Sequence, residues 1–108
     1  MNKKTTFRLL PESESRVMKC IWDEDKPVTC LEVLKLLKSK YGYEYAETTV
    51  YTFLNNLKNK GYVESYKKKI TYFKAKRTEN EYLKDLLKNT IDFWFDGNVD
   101  SFVEAVKK

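Results

Sequence analysis

Thr48, Thr49, Tyr51, Thr52, Asn55, Asn56 and Asn59 place hydroxyls and carboxamides on one side of a helical repeat at about 100° per residue. All seven donate and accept hydrogen bonds, and none is acidic. Such a surface can approach phosphates and the edges of bases without electrostatic repulsion. The other side of the same stretch is apolar, because Val50, Phe53, Leu54 and Leu57 fall at i, i+3, i+4 and i+7, the spacing of one buried stripe. An ordinary solvated helix would mix Lys and Glu on its outer face. An unusual surface helix remains the plainer interpretation, and the surrounding chain has to decide between the two.

Charge is distributed in a way that favours contact with a polyanion. The 108 residues carry a net charge of +5. Between Lys58 and Arg77, however, eight basic side chains face a single acid, Glu64, for a local charge of +7. The other 88 residues hold 13 basic and 15 acidic groups, a balance of −2. The positive excess therefore follows directly on the uncharged polar helix, as the electrostatic footprint of a nucleic-acid surface would.

Several classes of function are disfavoured. Histidine is absent, which removes the commonest general base and the commonest zinc ligand, and no nucleophile elbow or phosphate-binding glycine loop replaces it. Catalysis, a cofactor and a metal are accordingly not expected. Cys20 and Cys30 match no metal or redox spacing and are read as small buried or half-buried hydrophobes. No run approaches the roughly 20 apolar residues of a membrane span, and MNKKTTFRLL lacks the apolar core of a secretory signal. A cytoplasmic location without membrane insertion is the expectation. With 42% hydrophobic residues, the chain can build one modest core.

The elements that would position the polar face can be read in order. A short strand is expected at residues 7–10, then a helix starting at Pro11, with Glu12 and Glu14 favouring its positive end. Val17 pairs with Ile21 and Met18 with Trp22 at i, i+4, and DEDKP closes this helix. Thr29 and Glu32 form a capping box that opens a second helix, buried through Leu31, Val33, Leu34 and Leu37 and stopped by Gly42. The polar stretch forms the third helix, ending at Gly61. Residues 62–66 and 70–74 are β-prone and joined across Lys67, Lys68 and Lys69, which predicts a hairpin with a basic tip. Three helices followed by a basic hairpin is the plan of a winged helix-turn-helix, in which the third helix enters the major groove and the wing meets the flanking backbone. The lysines would position the protein on phosphates while Thr and Asn read bases.

Thr78 and Glu81 form a second capping box. Leu83, Leu86, Leu87, Ile91 and Trp94 then recur at three- and four-residue steps beside Phe95, and after an Asp96–Gly97 break Phe102, Val103 and Val106 suggest a last short helix. This tail is too apolar for a lone surface arm, so a two-fold contact between copies is expected. Folding back on its own domain is the alternative.

In these motifs the chain resembles the BlaI/MecI penicillinase repressor family. ESESRVMKCIW is similar to the family's first helix, TTVYTFLNNLKNKGYVE to its recognition-helix signature, and FDGNVDSFVEAV to its dimerisation segment. The resemblance implies a dimeric repressor on dyad operators with TACA and TGTA half-sites, with Thr49 and Thr52 matching the recognition threonines. It further implies induction through a membrane sensor protease pathway, with Ala105–Val106 matching the bond cleaved in the family's resistance repressors. Thr48 and Asn56 stand where those repressors carry basic residues, and Tyr51 where Arg or Gln is usual.

The expected fold is thus mostly α with a small β-hairpin: a winged helix-turn-helix domain over residues 1–77 and a helical dimerisation segment over 78–108. The expected partners are double-stranded operator DNA and a second copy of the chain. A winged-helix module that binds protein rather than specific DNA is the competing function.

Overall fold

Three helices come first, each ended by a residue whose backbone preference stops it. In the computed structural model, which describes residues 7–108, α1 spans Glu12–Glu24, α2 Cys30–Tyr41 and α3 Glu47–Asn59. Pro11 is the N-cap of α1 rather than its first helical residue, and Asp25 ends the helix in the left-handed region at φ 55°. Residues 7–10 form no strand. The capping box of α2 is present: Thr29 Oγ1 accepts from Glu32 N at 3.1 Å, and Thr29 N donates to Glu32 Oε1 at 2.9 Å.

Glycines terminate α2 and α3 by the same device. Gly42 (φ 75°) and Gly61 (φ 84°) adopt the left-handed conformation that costs other residues a steric clash. The next amide then folds back, Tyr43 N to Leu37 O at 3.2 Å and Tyr62 N to Leu57 O at 2.9 Å. These bonds satisfy carbonyls that the helix ends would leave unpaired.

The β structure is larger than a hairpin. Strands β2 (Val63–Lys67) and β3 (Thr71–Ala75) pair antiparallel, and β1 (Val28–Thr29) adds to the other edge of β3, giving the order β1-β3-β2. Val28 lies opposite Phe73 and Thr29 opposite Tyr72. Each wing strand lies one residue later in the chain than expected: Lys67 pairs with Thr71 as the last ladder position, and the tip is Lys68, Lys69 and Ile70.

One core joins the helices to the sheet. Val17, Met18, Cys20 and Ile21 of α1, Val33 and Leu37 of α2, Val50, Leu54 and Leu57 of α3, and Val28, Val63 and Phe73 of the strands are all buried. Leu31, expected in the buried face of α2, is exposed at the helix's first turn, and Leu34 is half-buried. Trp22 is half-buried and donates from Nε1 to Arg77 O at 2.8 Å. Cys20 is buried and Cys30 half-buried, both as free thiols.

The chain divides into two compact units, Leu10–Glu79 and a second made of Asn80–Lys108 with the described residues 7–9. The second contains most of α4 (Glu79–Trp94) and all of α5 (Val99–Lys107). Between these helices Asp96 (φ 51°) and Gly97 (φ 78°) turn the chain, and Asn98 caps α5 by accepting from Ser101 N at 3.0 Å. Phe95 and Phe102 meet edge to face across the turn at 5.6 Å, and the Phe7 ring lies 5.6 Å from the buried Tyr82. Leu86, Ile91, Phe95 and Phe102 are half-buried, whereas Leu83, Leu87, Trp94, Val103 and Val106 are exposed.

Candidate nucleic-acid interface

Two polar clamps fix α3 in addition to its apolar stripe. On α1, Glu14 occupies the same stripe as Val17, Met18 and Ile21, so it is buried with only 5% of its surface exposed. A buried carboxylate needs partners. α3 and its C-cap supply them: Lys60 Nζ donates to Glu14 Oε1 at 2.6 Å and Asn56 Nδ2 to Oε2 at 3.2 Å.

The second clamp holds the turn between α2 and α3. Arg16 lies over the Tyr43 ring at 3.9 Å and donates from Nη2 to Tyr45 Oη at 3.2 Å. Tyr43 and Tyr45 stack at 5.8 Å, and Tyr45 meets Phe53 of α3 edge to face at 5.2 Å. The bond to Tyr45 raises the Arg16 pKa against the opposing effect of burial. A turn that would otherwise be polar and loose is thereby tied to α1 and to α3.

With α3 so held, Thr48, Tyr51, Thr52, Asn55 and Asn59 are exposed together. Thr49 is half-buried. Thr52 Oγ1 donates to Thr48 O at 3.0 Å, which leaves its lone pairs facing outward as acceptors. Asn56 departs from the group, since its amide is turned inward to Glu14. With Thr49 half-buried and Asn56 turned inward, the exposed uncharged face keeps five of the seven residues that the sequence pattern implies.

The wing adds cations beside this face. Lys67, Lys68 and Lys69 are exposed and make no ion pair with any described residue. Lys74 is partly neutralised by Glu64, its cross-strand neighbour, at 3.7 Å, and Lys60 is committed to Glu14. The wing strands are stiffened by Tyr66 and Tyr72, stacked at 5.7 Å. Arg16, Tyr43 and Tyr45 were not singled out by pattern alone. Glu14 left a trace, as a carboxylate on an apolar stripe.

An exposed, uncharged helix face and a basic hairpin thus belong to one compact unit, and a family model described as penicillinase repressor matches residues 10–108. The chain belongs to the penicillinase repressor family. As a member of that family it is a winged-helix, DNA-binding transcription regulator, as the three motifs implied. Family and structural neighbours are regulators rather than enzymes. No curated protein matches the chain.

Solved structures share the fold of this penicillinase repressor family member. RosR of H. salinarum is similar over 92% of this chain and 91% of its own, with TM-score 0.58 and 23% identity. The hsRosR-S1 complex has TM-score 0.61 and 22% identity, over 90% of this chain and 88% of that one. The ferric uptake regulator of Francisella tularensis with iron follows at TM-score 0.56 and 16% identity, covering 86% and 85%. No described helix is long and apolar enough to cross a membrane.

Proposed function

We propose that this regulator represses transcription by occupying a dyad operator as a dimer, with α3 in the major groove and the wing on the flanking backbone. One observation carries the reading: the exposed, uncharged face of Thr48, Tyr51, Thr52, Asn55 and Asn59 meets the wing at Ile70 and Thr71, next to three exposed lysines that pair with no described residue. Thr and Asn can discriminate base edges, and each lysine that displaces a counterion adds sequence-independent affinity. Residues 1–77 form the DNA-binding domain in this reading and 78–108 the dimerisation segment.

The dimer is supported by the apolar surface of that segment. Trp94 is 72% exposed and Val106 67%, and α5 has no buried residue despite its amphipathic sequence. A second copy covering these side chains would remove from water surface that a monomer leaves wet. Induction by cleavage at Ala105–Val106 fits the exposure of both residues.

A gel shift on DNA upstream of the protein's own gene tests the operator. A sequence-specific complex is expected, with a log-log salt slope of roughly −4 to −7 for about five to eight phosphate contacts. Absence of specific binding at moderate salt would favour the protein-binding module instead. Sedimentation tests the arm, with a dimer expected and Val103→Glu shifting it to monomer.

A further inference from the structure

Between the first turns of α2 and α3 and the wing lies an open groove with a volume of about 680 Å³, within the range of small-molecule sites. Most of its exposed wall surface is apolar. Leu31 is 47% exposed, Tyr51 44% and Ile70 53%, and Phe73 forms the floor with its ring edge to face with Tyr51 at 6.1 Å. Among the described residues lining this groove, Glu47 is the single ionised one. Its carboxylate pairs with no described cation, although the chain as a whole is +5. Glu47 is placed at the groove by α3's first turn, where its backbone carbonyl accepts from the thiol of Cys30, another lining residue, at 3.6 Å.

We propose that this groove binds lipophilic organic cations, aromatic groups against Leu31, Tyr51 and Ile70 and the charge at Glu47, and that occupancy blocks DNA. An anionic groove wall is costly beside phosphates but complementary to a cation, and aromatic faces add cation–π attraction. The blocking follows from shared residues: Thr48, Tyr51 and Thr52 line the groove and belong to the DNA-reading face. That half rests on the operator reading above, whereas the cation site itself does not. Charge selectivity is the sharp signature, because the protein's overall field favours anions, so a preference for cations can arise only locally.

Calorimetry on the full chain with methyltriphenylphosphonium, and with neutral triphenylphosphine oxide as its isostere, tests the site. Saturable binding of the cation is expected, about five-fold or more tighter than the oxide. Glu47→Gln should reduce the cation to the level of the oxide, with the urea midpoint lowered by no more than about 0.5 M as α3 loses its first-turn carboxylate, and Leu31→Ser should weaken both probes. Equal affinity for the two probes, or undiminished cation binding in Glu47→Gln, would overturn the site. Anisotropy of labelled upstream DNA then tests the blocking: the cation should release DNA from the wild type and not from Glu47→Gln. DNA retained at saturating cation overturns the blocking with operator binding intact. Absence of specific DNA binding before any cation is added overturns the operator reading and the blocking together, while calorimetry still decides the site.

Discussion

Replacing Glu14 probes how α3 is held without touching its outer face. In Glu14→Gln the carboxylate that accepts from Lys60 at 2.6 Å and Asn56 at 3.2 Å becomes a neutral amide, while shape and volume are kept. Hydrogen bonds to a charged group contribute about 1.5–3 kcal/mol, and removing one partner of a fully buried pair costs about 3–5 kcal/mol. Here Glu14 is buried, but the Lys60 side chain is 43% exposed and can turn to water. The expected loss is therefore near the low end, about 2 kcal/mol. At a urea m-value of about 1–1.5 kcal/mol/M for a chain of this size, the midpoint should fall by about 1.5 M. Urea titration at fixed protein concentration measures it, since dimer formation makes stability concentration-dependent. Glu14→Leu combined with Lys60→Met should recover most of the loss, because no charge is then left unpaired. A Glu14→Gln midpoint within about 0.2 M of the wild type would show that the clamp contributes nothing.

Lys68→Ala with Lys69→Ala should reduce the magnitude of the log-log salt slope of DNA binding by about 2 and weaken all sequences alike, which titrations at several salt concentrations would resolve. Arg16→Lys removes the planar group that covers Tyr43 and reaches Tyr45, so thermal unfolding should show a loss of about 1 kcal/mol, together with weaker specific DNA binding as the turn before α3 loosens. Thr29→Ala deletes a capping-box acceptor and should cost about 1 kcal/mol in the same assay. Asp23 gives a pH dependence: the hydrogen bond from Lys40 first, and then that from Lys19, hold its carboxyl below the ordinary value of 3.8, against burial. A lowered folded-state pKa contributes stability above the unfolded value that is lost as pH falls through the folded one. Stability of the wild type should therefore decline below about pH 4, and Asp23→Asn should show a flatter acid limb in urea midpoints taken across that range.

What the amino-acid order determines by itself here is local. The capping box at Thr29 and Glu32 acts over three residues, and Gly42 and Gly61 stop helices through their own backbone freedom, so both were legible without a fold. The stripe of Val50, Leu54 and Leu57 and the lysine-rich strip beside it follow from periodicity and charge, and with them the winged-helix plan. Tertiary structure decided the rest, because the deciding partner is distant in sequence. β1 is two residues long and exists because β3 presents an open edge to it. Asn56 reads as part of the outer face until α1 brings a buried carboxylate to it, and Leu31 reads as core until the sheet and α3 leave its side of α2 uncovered. Lys67 moved from tip to ladder because pairing with Thr71 satisfies backbone groups that a wider loop would leave to water. Periodicity reports which side of a helix is apolar. Which polar side chain remains free on the other side depends on what packs beside it, and on that question α1 and the wing had the final influence.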